Sequence, residues 1–155
     1  MAIEIERKFL VKNNRWRDKV VKSVKMRQGY MTESGPASVR VRVDGEQGYL
    51  NIKSMTLGVQ RHEYEYVISL ADANEMLDNL CVGSLIEKTR HYVEDAGHLF
   101  EVDVFEGENT GLVVAELELT DADQPVVMPD WLGEDVSDDP RYYNVNLVRH
   151  PYSQW

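Results

Sequence analysis

The chain has 155 residues, 43% hydrophobic and 28% charged, the composition of a single soluble globular domain able to bury a core. Its formal charge of -10 argues against gripping a nucleic-acid backbone through the general surface field, and no apolar run approaches the ~18 residues that span a bilayer. The N-terminus is charged at once and Cys81 is the single cysteine, so no signal peptide, no membrane span and no intrachain disulfide are expected, and the expected compartment is the cytoplasm.

Residues 3–11 read as a strand in which charge alternates with hydrophobicity: Glu4, Glu6 and Lys8 share one face and Ile3, Ile5 and Phe9 the other, with Arg7 the exception. Residues 13–22 read as a short helix or loop and 24–31 as a strand, closed by the turn Ser34-Gly35-Pro36. Residues 38–44 alternate strictly, Asp44-Gly45 and Gly48 mark a hairpin, and 49–54 return. Leu57-Gly58 turns again into 59–68. The spacing of Met76, Leu77 and Leu80 predicts a helix over 70–80, with Ser69 as N-cap and Asp72 three residues on. Strands follow at 85–94, 98–105 and 112–120, separated by Asp95-Ala96-Gly97 and by Glu108-Asn109-Thr110-Gly111. The tail reads as loop around Pro125 and Pro129, and Asp139-Pro140 suits the start of a last short helix, 140–149. The regular strands point to an antiparallel sheet or barrel, α+β by content, in one domain without a linker.

The polar faces of these strands carry the chemistry. They present Arg40 and Arg42; Asn51 and Lys53; Arg61, Glu63 and Glu65; Lys88 and Arg90; Glu101 and Asp103; Glu116 and Glu118. One such face alone is ordinarily a solvated face. Here Thr, Ser and Gln are almost absent from it and the signs are sorted by strand, against the usual preferences of strands. Closing the sheet with the charged face inward accounts for both features, since buried charges then need partners of opposite sign. Lys8, Arg40, Arg42, Lys53, Lys88 and Arg90 together exceed what one phosphate needs and match a polyphosphate. The clustered carboxylates are hard oxygen ligands suited to Mg2+ or Mn2+, and no Cys/His zinc spacing exists. The scattered histidines and tryptophans read as structural, and the basic residues alternate with valine rather than with aromatics, which disfavours a single-strand nucleic-acid groove.

The same residues carry a family resemblance. Glu4-Ile5-Glu6-Arg7-Lys8 resembles the ExExK signature of the CYTH, or triphosphate tunnel metalloenzyme, superfamily. The resemblance continues through Arg27-Gln28-Gly29-Tyr30, Val39–Arg42, Arg61–Glu65, Glu87–Arg90, Phe100–Phe105, Glu116–Glu118 and Arg141–Asn144, and is greatest to the short bacterial branch that includes inorganic tripolyphosphatases. It implies a closed eight-stranded antiparallel barrel, the triphosphate tunnel, with a few flanking helices and a C-terminal plug helix carrying Tyr142 and Asn144. It implies Glu4, Glu6, Glu116 and Glu118, with Asp103, as metal candidates, and Lys8, Arg40, Arg42, Lys53, Arg61, Lys88 and Arg90 as triphosphate candidates. Lys8, Glu63, Glu65 and Tyr30 are the catalytic candidates, Glu63 and Glu65 with Glu101 and Asp103 supporting a second metal or ordering the basic side chains.

The expected activity is Mg2+- or Mn2+-dependent hydrolysis of inorganic triphosphate, with weaker action on nucleoside triphosphates. The alternatives are a class IV-type adenylate cyclase, a thiamine triphosphatase and a non-catalytic polyphosphate- or nucleotide-binding module. The expected partner is a triphosphate-containing small molecule, with no nucleic acid and no membrane, and the apolar outer strand faces leave room for a homodimer.

Overall fold

Period-two alternation runs through nearly every strand, and in the computed structural model, which describes residues 2–32, 34–56 and 59–155, the sheet closes into a barrel with one face of that alternation inside. The strands are β1 (Ala2–Val11), β2 (Val20–Tyr30), β3 (Ala37–Asp44), β4 (Gln47–Ser54), β5 (Gln60–Ile68), β6 (Val82–Asp95), β7 (His98–Phe105), β8 (Val113–Glu118) and β9 (Leu132–Asp135). They follow the order β5-β4-β3-β2-β6-β7-β8-β1, and β5 pairs back onto β1 to close eight antiparallel strands. The same edge of β1 is shared along its length. Residues 2–5 pair with β5, whereas Phe9 and Val11 pair with β9, the extra strand.

The two faces of the barrel have opposite chemistry. Outward side chains of β1, β7 and β8 (Phe9, Phe100, Val102, Ala115, Leu117) are covered by Trp16, from the 3-10 turn Arg15–Lys19, and by Trp131 and Leu132. Outward Val41 and Val43 are covered by Ala73 and Leu77 of helix α1 (Leu70–Asn79), whose first turn is held by Ser69 Oγ accepting from the Asp72 amide at 3.0 Å. Inside, one end of the barrel is filled by a third apolar cluster. Tyr30, Ile86, Phe105 and Val114 from the strands meet Tyr142, Leu147 and Val148 from the C-terminal segment. The remainder of the lumen is charged.

The turns follow the expected chemistry. Ala96 and Gly97 both take positive φ in the two-residue hairpin between Asp95 and His98, and Gly45 does so between β3 and β4. The turn expected at Leu57-Gly58 lies outside the described residues. The chain departs from the sequence reading in three places. β2 begins earlier than predicted, at Val20, where it pairs with the far end of β6 through a stretch whose residues Val21, Lys22 and Ser23 are exposed and so show no burial alternation, and β6 begins earlier, at Val82, where it pairs with Tyr30 across a register shift. β9 falls within the predicted loop. The last helix is two pieces, a 3-10 turn Pro140–Tyr142 and helix α2 (Asn144–Leu147), because Tyr143 between them is extended, its hydroxyl donating to the Ser137 carbonyl at 2.7 Å. Asp139 does cap the first piece, accepting from the Arg141 amide at 3.1 Å. Among the described residues no helix is long and apolar enough to cross a membrane.

Candidate active site

The charged part of the lumen encloses a cavity of about 400 Å³. Its walls carry thirteen of the predicted site residues: Glu4, Glu6 and Lys8 from β1, Tyr30 from β2, Arg40 and Arg42 from β3, Lys53 from β4, Arg61, Glu63 and Glu65 from β5, Arg90 from β6, and Glu116 and Glu118 from β8. Register explains the convergence. Glu6 stands opposite Glu118 and Lys8 opposite Glu116 across β1 and β8, while Arg40 stands opposite Asn51, and Asn51 opposite Glu65, across β3, β4 and β5. Directly opposed residues share a face, so one inward position on each strand commits its neighbours.

Within the cavity the opposite charges interleave. Lys53 Nζ lies 3.0 Å from Glu4 and 3.5 Å from Glu63. Arg61 reaches Glu6 at 3.6 Å, and Glu116 lies 3.7 Å from both Lys8 and Arg90. Arg40 Nε is buried without a hydrogen-bond partner. At the closed end Lys8 Nζ donates to the Tyr142 carbonyl at 3.2 Å and sits 5.5 Å from the centre of the Tyr143 ring. Glu65 and Glu118 are exposed, which puts these two carboxylates at the open side.

Two predicted site residues stand elsewhere. Lys88 and Asp103 do not line the cavity; they lie beneath its wall, 1% and 0% exposed, joined Nζ to Oδ2 at 2.6 Å. Asp103 also accepts from Arg90 Nε at 2.8 Å and Nη2 at 2.9 Å, so both its oxygens are occupied. Asp103, expected as a metal candidate, stands here as counter-ion to Arg90, and Lys88, expected as a triphosphate candidate, is the buried cation that shares it. Tyr142 packs in the apolar end cluster, and it is Tyr143, Asn144 and Val145 that face the cavity. Tyr30 touches the cavity but is 5% exposed, its ring part of that same cluster.

Ser38, Tyr92, Tyr143 and Asn51 are lining residues outside the predicted site. Asn51 had a signal, its alternation with Lys53. Its amide donates to Glu63 at 3.1 Å and to Glu65 at 2.9 Å, which fixes both carboxylates on the wall.

A model of the CYTH domain family matches residues 2–152. The chain belongs to the CYTH family. It is 46% identical to an inorganic triphosphatase of Acetivibrio thermocellus over 155 residues, 100% of this chain and 99% of that protein. It is 39% identical to an inorganic triphosphatase of Nitrosomonas europaea over 149 residues, 94% and 96% of the two chains. The crystal structure of an inorganic triphosphatase superposes with a TM-score of 0.69 at 37% identity, covering 96% of this chain and 95% of that one.

CYTH triphosphatases are divalent-metal dependent in general, and the donor set here fits such an ion. Burial, with the Glu116 and Glu4 charges, pushes the Glu6 carboxyl up to about 8, so it holds a proton near neutrality where a cation would relieve it. Burial also raises Glu116, but Lys8, Arg90 and Lys88 outweigh it and hold that carboxylate well below its usual range. Glu118, exposed at the open side, is raised by the partial desolvation of its carboxyl and by Glu4 and Glu63. Among the described residues no three acidic, histidine or cysteine side chains are already gathered as a ligand cluster, because Glu4 is held by Lys53 and Glu116 lies between Lys8 and Arg90. Carboxylate oxygens are the hard donors that a divalent cation takes.

Proposed function

We propose that this CYTH protein hydrolyses inorganic triphosphate with the help of Mg2+ or Mn2+. The observation that carries the reading is the convergence of Lys8, Arg40, Arg42, Lys53, Arg61 and Arg90 on one cavity closed at its end by an apolar cluster. Guanidinium forks and ammonium groups spread over five strands suit a chain of phosphates rather than a single one. The names of the relatives support the same substrate.

Charge balance supports the cation. The six bases face seven acidic side chains, Glu4, Glu6, Glu63, Glu65, Glu101, Glu116 and Glu118, of which Glu6 holds its proton near neutrality. The wall alone therefore cannot neutralise a polyanion, and Glu4, Glu6, Glu116 and Glu118 would hold the divalent ion that does. Such an ion, when bound, supplies a charge that polarises the phosphoryl oxygens and lowers the pKa of a bound water. The chain's own residues hold the substrate. Lys8 and Arg61 sit at the closed end beside Tyr143, Arg40 offers an unpartnered guanidinium nitrogen, and Arg90 is kept in place from below by Asp103. Before substrate enters, Glu63 and Glu65 hold Lys53 and Arg42, at 3.5 and 3.4 Å. These cations would stabilise the charge that develops as water attacks the terminal phosphorus and its bridging P–O bond breaks, releasing phosphate and pyrophosphate.

The test is incubation of the pure protein with tripolyphosphate, ATP or thiamine triphosphate and either ion, with product identification. Phosphate and pyrophosphate from tripolyphosphate, abolished by chelation, are expected. Cyclic AMP from ATP, or binding of tripolyphosphate without products, would overturn the reading.

A further inference from the structure

Gln28 stands on β2 between Met26, which lines the charged cavity, and Tyr30, which belongs to both the cavity wall and the apolar end cluster. It shares their inward face, directly opposite Arg42 on β3 and Ile86 on β6. It is 1% exposed, and neither its amide oxygen nor its amide nitrogen has a hydrogen-bond partner. A buried amide of this kind is costly and is rarely left so without a use.

The residue opposite carries the complementary defect. Arg42 Nε is buried and makes no hydrogen bond; it lies 3.4 Å from Asp44 Oδ2 in an ion pair without hydrogen-bond geometry. Its Nη2 is 3.4 Å from the exposed Glu65, and its guanidinium lies 4.7 Å from the centre of the Tyr49 ring. Arg42 is thus drawn toward acidic groups and an aromatic face. A residue with an acceptor lacking a donor and one with a donor lacking an acceptor are directly opposed in register across adjacent strands, where side chains come within reach of each other.

We propose that Gln28 is a positioning residue for Arg42: as the guanidinium leaves Asp44 and Glu65 for an incoming triphosphate, Gln28 Oε1 accepts from Arg42 Nε and fixes the fork toward the anion. The proposal rests on the triphosphate reading of the cavity. It accounts for a buried polar side chain between Met26 and Tyr30, where leucine or methionine would fill the same volume without an unpaired amide.

The test is Gln28→Leu, with Gln28→Met as a second near-isosteric variant should the first fail to fold. Thermal melting is measured on the ligand-free protein, tripolyphosphate binding by calorimetry, and KM and kcat with saturating Mg2+ or Mn2+. The substitution is expected to leave the melting temperature unchanged or higher, because it removes an unpaired buried amide, yet to weaken tripolyphosphate binding and raise KM about tenfold, the worth of one hydrogen bond to a charged group. In an Arg42→Ala background it should change KM by less than about twofold, since the group it positions is gone. Unchanged binding and KM in Gln28→Leu, or an equal loss with and without Arg42, overturns the positioning role while leaving the triphosphate reading intact. A wild-type protein that neither binds nor hydrolyses tripolyphosphate overturns both.

Discussion

Asp103 grips Arg90 with both carboxylate oxygens, at 2.8 and 2.9 Å, and the second of these also accepts from Lys88 at 2.6 Å. Three buried charges beneath the cavity wall thus form one unit of which only Arg90 reaches the cavity. Burial pushes the Lys88 ammonium down to about 8 in spite of Asp103; burial also raises Asp103, but Arg90 and Lys88 outweigh it and hold that carboxylate below its usual range. The unit is a support that aims one guanidinium.

Removing the shared anion should therefore be felt twice. Asp103→Ala leaves Lys88 and Arg90 uncompensated under the wall and should destabilise the fold by about 3–5 kcal/mol, the usual cost of breaking a buried pair. In protein that remains folded, KM for tripolyphosphate should rise because Arg90 is no longer aimed. Urea denaturation and steady-state kinetics check both, and a variant with wild-type stability would remove the support role.

How much of this was legible in the sequence follows from what period two encodes. Alternation fixes the face of a residue, so Glu4, Glu6 and Lys8, Arg40 and Arg42, and Glu116 and Glu118 could be assigned to the lumen from the chain alone. It does not encode depth along the barrel. Lys88 and Arg90, or Glu101 and Asp103, are equivalent in pattern, yet Arg90 and Glu101 reach the cavity and Lys88 and Asp103 do not. Depth depends on the stagger between strands and on how far the C-terminal segment fills the lumen, neither of which is local. β9 was illegible for a related reason. Leu132-Gly133-Glu134-Asp135 has no alternation, and it is a strand because β5 leaves the second half of one β1 edge unpaired.

Glu4 joins the two halves of the proposed chemistry, a carboxylate assigned to the cation yet held by Lys53 at 3.0 Å. Glu4→Gln keeps the shape and an oxygen acceptor but loses the charge. Turnover of tripolyphosphate at saturating Mg2+ or Mn2+ should fall by about 100-fold or more, the scale of losing one electrostatic contributor to the transition state. Wild-type turnover in this variant would remove Glu4 from the cation set.

The closed end of the cavity should be as dependent on apolar packing as an ordinary core. Leu147 of α2 is fully buried among Tyr30, Ile86, Phe105 and Val114 inside the barrel. Leu147→Ala should cost about 2–5 kcal/mol, as for other buried truncations. Because the same segment carries Tyr143 and Asn144 to the cavity, the variant should also lose activity under conditions where it is fully folded. Denaturation and activity measured on the same preparation separate the two effects. Full activity in the folded variant would mean that the plug closes the barrel without shaping the site.

Glu6 gives the cavity a predictable dependence on pH. Its pKa is raised from 4.5 to about 8 by burial first and by the Glu116 and Glu4 charges next. The folded protein then keeps a proton on Glu6 that the unfolded chain has already released. Its contribution to stability is intact below about 4.5, declines as pH rises through the window, and is fully lost once pH passes about 8. Glu6→Gln cannot ionise, so it should match the wild type near pH 5 and exceed it above pH 8, by an amount on the order of a few kcal/mol at about 1.4 kcal/mol per unit. A divalent cation competes with the same proton, so Mn2+ should bind the wild type more tightly as pH rises toward 8, releasing protons as it does so, and should stabilise Glu6→Gln much less. Melting curves of both proteins across this range, with and without Mn2+, test the linkage. A difference between them that stays constant with pH would show that Glu6 is ionised throughout.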